Sequence, residues 1–142
     1  MPRIDIHQVY LRIAKNYSKM SYAKRNKVGA ILTFNGRIVS TGYNGMPTKM
    51  TNSCEVKIHD RKELVTRSEV IHAEMNAILF AAKNGQSTND CILYVTLSPC
   101  VECAKAIIQS GIIKVYYIEP YRDTGGLDLL EFVGIECVQI KC

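Results

Sequence analysis

"CILYVTLSPCVECAKAIIQSGIIKVYYIE", Cys91 to Glu119, carries a strand, a helix and a second strand in direct succession. "CILYVTL" is a short apolar run rich in β-branched and aromatic residues, the pattern of a buried strand. "PCVECAKAIIQSG" reads as a helix. Ser98 is placed as its N-cap, Pro99 at its first position and Gly111 at its end. A serine hydroxyl can accept an orphan N–H, proline has none to lose, and glycine tolerates the left-handed exit. "IKVYYIE" reads as the next strand.

Working outward, "VGAILTF" and "RIVSTGY" flank Asn35-Gly36, a dipeptide whose residues both tolerate positive φ, so the two runs predict a β-hairpin. A helix is expected from about Ile71 to Lys83, closed by Asn84-Gly85. At the start, Ile6, Val9, Tyr10, Ile13, Tyr17 and Met20 recur at helical spacing and predict an amphipathic helix. "GGLDLLEFVG" is a short helix and "IECVQIK" a last strand. Met46 to Glu69 is polar and irregular, long for a loop, and therefore functional or mobile. The order α-β-β-α-β-α-β-α-β predicts an α/β fold of three layers, α/β/α, around a central five-stranded mixed sheet, in a single domain over residues 1–142.

A chain of 142 residues with 47% hydrophobic and 22% charged residues can bury a real core. The formal charge of +5 suits an anionic partner, nucleic acid or a small phosphorylated molecule, without choosing between them. "MPRIDIHQVY" has no apolar leader core, and no stretch is long enough to span a membrane. A cytoplasmic chain with reduced thiols is expected, so among the six cysteines the paired ones lean towards metal binding or catalysis rather than disulfides, while Cys137 and Cys142 read as a buried small hydrophobe and a frayed C-terminus.

Cys100 and Cys103 are expected in the first turn of the helix, on one face, where the positive end of the dipole favours thiolates. Two thiolates and an imidazole make a zinc triad with a fourth position left open, the mark of a catalytic site. His72 and Glu74 stand two apart, so mid-helix they would point to different sides. They can serve one site only beyond a helix start, and the helix signal begins there. Two helix N-termini are therefore expected to meet over the sheet. His72, Cys100 and Cys103 would hold one zinc ion, and Glu74 would stand beside the open position. Zinc with two thiolates has almost no net charge and acidifies water less than a three-histidine site, so a nearby general base is useful. A lone C-x-x-C could equally be redox or structural, and a lone H-x-E is weaker still. Together, H-x-E followed by P-C-x-x-C is a zinc deaminase signature.

"HAEMNAIL" and "TLSPCVECAKAIIQSGI", with "VGAIL" and "GYNGMP" upstream, resemble the deoxycytidylate (dCMP) deaminase family of the cytidine deaminase superfamily. The resemblance runs from about Ser21 to Cys137. The zinc motif marks the superfamily, and Gly42-Tyr43-Asn44-Gly45-Met46-Pro47 points to the dCMP branch. The resemblance implies a cytidine deaminase-like fold and hydrolysis of dCMP to dUMP, the precursor of dTMP. Glu74 would take a proton from the attacking water, deliver it to N3 of cytosine and help ammonia leave. It also implies that Asn44 holds the sugar 3′-hydroxyl and that Arg25 meets the 5′-phosphate, with Tyr121, Lys24, Lys27 and Arg122 as further candidates. Each of these has a plainer reading, a turn residue for Asn44 and a solvated surface charge for any lysine or arginine.

Family members are commonly hexamers activated by dCTP and inhibited by dTTP. That implies a homohexamer here, with effectors, accompanied by Mg2+, at Gly42 to Pro47. Two glycines there would let backbone amides approach a phosphate. Some viral members hold a second zinc through a cysteine before the first strand. Here that position is Ala23, and Cys54 and His59 are too few for a structural site, so one zinc per subunit is expected. A polynucleotide deaminase acting on tRNA or single-stranded DNA would need an extended basic groove with stacking aromatics, and this chain has no tryptophan and three phenylalanines. A free cytidine or deoxycytidine deaminase would have no use for a phosphate-binding arginine.

Overall fold

The computed structural model describes residues 4–58 and 63–142. Helix α1 spans Ile6–Ser18, β1 Gly29–Phe34 and β2 Arg37–Tyr43. Two short strands follow, β3 Glu55–Lys57 and β4 Leu64–Thr66, then α2 Ala73–Lys83 and β5 Ile92–Leu97. The chain ends with α3 Val101–Gln109, β6 Lys114–Glu119, α4 Gly125–Phe132 and β7 Glu136–Gln139.

The main sheet has five strands in the order β2-β1-β5-β6-β7. β1 runs antiparallel to both β2 and β5, while β5, β6 and β7 are parallel. The hairpin turn is as expected, with Asn35 at φ 49° and Gly36 at φ 72°. Alternating side chains divide β1 between two cores. Ala30 and Leu32 pack with α2, α3 and α4 on one face, together with Leu93, Val95 and Val115. Ile31 packs with Tyr10, Leu11 and Ala14 of α1 on the other, together with Tyr94 and Tyr116. The predicted three-layer mixed sheet is therefore the observed one.

Four local expectations need correction. The buried stripe of α1 is Tyr10, Leu11, Ala14 and Ser18, whereas Met20 lies beyond the helix and is exposed. Helix α2 begins at Ala73 with His72 as N-cap, because Ile71 is held back in a β-bridge to Gly45. The N-cap of α3 is Cys100, not Ser98, since Cys100 keeps extended backbone and its sulfur accepts the Cys103 N–H. The Ser98 hydroxyl is occupied elsewhere, accepting the Tyr121 N–H at 2.6 Å. Finally, Met46 to Glu69 is not structureless, because β3 and β4 pair there as a small antiparallel sheet. His59 lies outside the described residues.

Gly42 fixes how closely α2 can lie on the sheet. A Cβ there would come within 2.5 Å of the Ala73 carbonyl oxygen and 2.6 Å of the Ala77 nitrogen. Ser40 and Asn76 fasten the same contact, donating to the Ala77 and Tyr43 carbonyls. This packing sets the height at which the first turn of α2, and so His72 and Glu74, stands over the strand ends.

Candidate active site

A cleft of about 420 Å³ opens where β2, β5 and β6 end, lined by Asn44 just after β2, Leu97 at the end of β5 and Pro120 just after β6. Crevices at the carboxyl ends of strands are the usual ligand sites of α/β sheets. At its floor, α2 and α3 bring their N-termini together. His72 Nδ1 lies 3.4 Å from Cys100 Sγ and 3.3 Å from Cys103 Sγ. The three donor atoms lie within 4.8 Å of one another, and no other such group of three occurs among the described residues. One imidazole and two sulfurs form a zinc donor set, and ordinary zinc bonds in a tetrahedron hold such donors roughly 3.5 Å apart. The residues present thus fit a zinc ion.

Ionisation follows from the same closeness. Cys100, which accepts from the Cys103 thiol and from His72, has its pKa pulled down to about 3. Cys103 moves the other way, because its thiol keeps its proton to donate to the Cys100 sulfur and burial disfavours a second thiolate. His72 is raised by its hydrogen bond to Cys100. Glu74, in the first turn of α2 and only 4% exposed, is pushed up chiefly by desolvation. A buried carboxyl of raised pKa beside two sulfurs and an imidazole is a better proton acceptor and donor than an exposed one.

The other predicted residues divide. Arg25, Asn44, Tyr121 and Arg122 all line the cleft, whereas Lys24 and Lys27 do not. Asn44 is a buried bracket as well as a lining residue. Its Oδ1 accepts the Val28 N–H at 2.9 Å and its Nδ2 donates to the Asn26 carbonyl at 2.8 Å. That leaves the second amide hydrogen for a ligand. Ala23 and Cys54 are buried and also line the cleft.

The Gly42 to Pro47 segment is tied more tightly than two phosphate-seeking glycines would be. Gly42 serves the contact with α2, and Gly45 exchanges both backbone hydrogen bonds with Ile71, at 3.1 and 2.8 Å. Tyr43, Met46 and Pro47 remain half-exposed. Sequence reading missed Glu55, a buried carboxyl in the cleft wall that accepts two backbone N–H groups. Its sequence carried no distinguishing signal, being one of four acids in the polar stretch Met46 to Glu69.

Comparison with known proteins gives a consistent result. The family described as the cytidine and deoxycytidylate deaminase zinc-binding region matches residues 4–119. The chain is similar to the deoxycytidylate deaminase of Enterobacteria phage T4, 40% identical over 92% of this chain and 87% of that protein. It also resembles ComE operon protein 2 of Bacillus subtilis, at 34% identity over 99% of this chain and 74% of that one. Among solved structures, the dCMP deaminase of cyanophage S-TIM5 in complex with dCMP and dUMP superimposes with a TM-score of 0.89. It is 39% identical, covering 99% of this chain and 100% of that one.

Proposed function

The chain belongs to the cytidine and deoxycytidylate deaminase family, and we propose that it catalyses the hydrolysis of dCMP to dUMP and ammonia. The observation that carries this reading is the convergence of His72, Cys100 and Cys103, with His72, Cys100 and buried Glu74 lining a cleft that Arg25 and Arg122 also line. A cationic lining beside a deaminase-type metal group calls for an anionic nucleotide rather than a nucleoside.

In this reading His72, Cys100 and Cys103 hold one zinc ion per subunit. Bound there, zinc supplies the Lewis acidity that makes water nucleophilic near neutral pH. Arg25, Tyr121 and Arg122 bind the phosphate, and the free amide hydrogen of Asn44 donates to the sugar hydroxyl. Glu74 accepts one proton of the attacking water and passes it to N3 of the pyrimidine as the C4–O bond forms, then takes the remaining proton from the new C4 hydroxyl and gives it to the amino group as the C4–N bond breaks and ammonia leaves. One water is consumed and one ammonia released, so Glu74 ends in its starting state.

The regulatory part of the proposal is a cytoplasmic homohexamer of this domain, activated by dCTP with Mg2+ and inhibited by dTTP, whose effector site uses Gly42 to Pro47. The support is the resemblance of that segment, together with the half-exposed side chains of Tyr43, Met46 and Pro47 beside Asn44. No helix among the described residues is long and apolar enough to cross a membrane.

Initial rates on dCMP, deoxycytidine and a deoxycytidine-containing oligonucleotide test the substrate. Preference for dCMP is expected, and preference for either of the others overturns it. Saturation curves with dCTP or dTTP and magnesium, beside a mass measurement in solution, test the regulation. A hyperbolic monomer indifferent to both nucleotides would remove the regulatory part and leave the chemistry standing.

A further inference from the structure

Arg25 enters the cleft on a segment with neither helix nor strand to hold it. The two flanks of that segment are fastened by Asn44. Its carbonyl accepts from the Ser21 hydroxyl, its side-chain oxygen from the Val28 N–H, and its amide donates to Asn26. In the middle, the backbone N–H groups of Lys24 and Arg25 are both held by Glu55. One oxygen of that carboxyl, Oε2, accepts the Lys24 N–H at 2.7 Å and the Arg25 N–H at 2.9 Å.

We propose that Glu55 is a positioning residue for phosphate recognition, acting through Arg25. Two consecutive amides gathered on one acceptor fix the peptide plane between them. They thereby fix the direction in which the Arg25 side chain leaves the backbone. The far end of Arg25 is steadied by the same rung of the small sheet. Glu55 pairs with Thr66 across β3 and β4, and Arg25 Nη1 donates to the Thr66 hydroxyl at 3.3 Å. No side-chain ion pair joins Glu55 to Arg25 among the described residues, so the guanidinium charge stays available for a ligand. The two N–H donors also offset the negative charge that Glu55 places in the wall of an anion-binding cleft. The β3–β4 pair is in this account a specificity element, because its Glu55 and Thr66 are where the arginine is held.

The inference rests on the proposed preference for dCMP, and the wild-type rates on dCMP and deoxycytidine test that premise separately. Given that preference, Glu55→Ala should lower kcat/KM for dCMP by about ten-fold or more, mostly through KM. Deoxycytidine turnover should stay within about two-fold. Glu55→Gln, which keeps an acceptor oxygen, should restore most of the dCMP rate, and Thr66→Val should show a smaller loss of the same kind. In an Arg25→Ala background, Glu55→Ala should cost almost nothing more, because both changes remove one device. Equal losses on both substrates in the Gln or Thr66 variants, or full additivity with Arg25→Ala, would overturn the proposal. If Glu55→Ala does not fold, Thr66→Val decides the matter by the same substrate split, a loss on dCMP with deoxycytidine unchanged supporting the proposal and an equal loss on both overturning it.

Discussion

His72 Nδ1 stands 3.3 Å from Cys103 Sγ although 31 positions separate the two residues. Neither is brought there by its own strand. His72 is the last extended residue before α2, Cys103 sits in the first turn of α3, and the two helix starts face each other across the strand ends. A helix N-terminus stabilises negative charge. Here two of them address one point, and the groups gathered at that point are sulfurs and a carboxyl.

Cys100 should behave as a thiolate in zinc-free protein even under mildly acidic conditions, since its pKa lies at about 3. Alkylation mapped by mass spectrometry should modify Cys100 at a rate nearly constant from pH 5 to 8. An ordinary thiol slows about ten-fold per unit below its pKa of roughly 8.5. Cys103 should react far more slowly, and zinc should protect both. Equal and steeply pH-dependent labelling of the pair would contradict the assignment.

Glu74→Gln should retain zinc and fold while kcat on dCMP falls by roughly 10²–10⁴-fold, the range of a lost general acid–base group. His72→Ala should instead lose the metal. Zinc content by elemental analysis beside turnover separates the two, and near-normal turnover of the Gln variant would exclude Glu74 as the proton carrier.

Stability of zinc-free protein should fall with rising pH on account of Glu74. Its pKa is raised by burial, so below the unfolded value, about 4.3, it is protonated in both states and contributes no difference. Above that value the unfolded chain ionises first, and the folded state is increasingly disfavoured until the raised pKa is passed. Melting temperatures of wild type and Glu74→Gln should therefore agree near pH 4 and diverge upward in pH, the Gln variant being the more stable. A difference that does not change with pH would be incompatible with a buried titrating carboxyl.

Arg25→Ala should weaken dCMP use by about 1.5–3 kcal/mol, the worth of a hydrogen bond to a charged group, and leave deoxycytidine use little changed. Steady-state kinetics on the two substrates checks it, and an equal loss on both would remove Arg25 from phosphate binding.

What the sequence disclosed was whatever its own spacing enforces. Asn35-Gly36 needs left-handed backbone at two adjacent positions, so the hairpin could be read directly. The separations within H-x-E and P-C-x-x-C point to helix starts, so the meeting of His72, Cys100 and Cys103 could be anticipated before any coordinates. The small sheet escaped notice because strands of three residues are too short to express an alternation. Asn44 could be read as a turn or ligand residue but not as a bracket, since its two side-chain partners lie 16 and 18 positions away. The α3 cap was misplaced by two residues for a similar reason. Ser98 is a good capping residue, but its hydroxyl is taken by Tyr121, which is 23 positions further on.

The strand order has a consequence for assembly. The hairpin with α2 forms one half of the molecule and the β5–α3–β6 unit the other, and in the sheet they meet along the single β1–β5 seam, Ala30 to Thr33 against Ile92 to Val95. His72 and Glu74 arrive with the first half, Cys100 and Cys103 with the second. Neither half alone owns the complete His72, Cys100 and Cys103 set, so an ion held by all three would bridge the join. Chelation should then loosen the seam before either half. Hydrogen exchange at the β1 and β5 amides, compared with and without zinc, would register that loosening ahead of any change inside the β1–β2 hairpin.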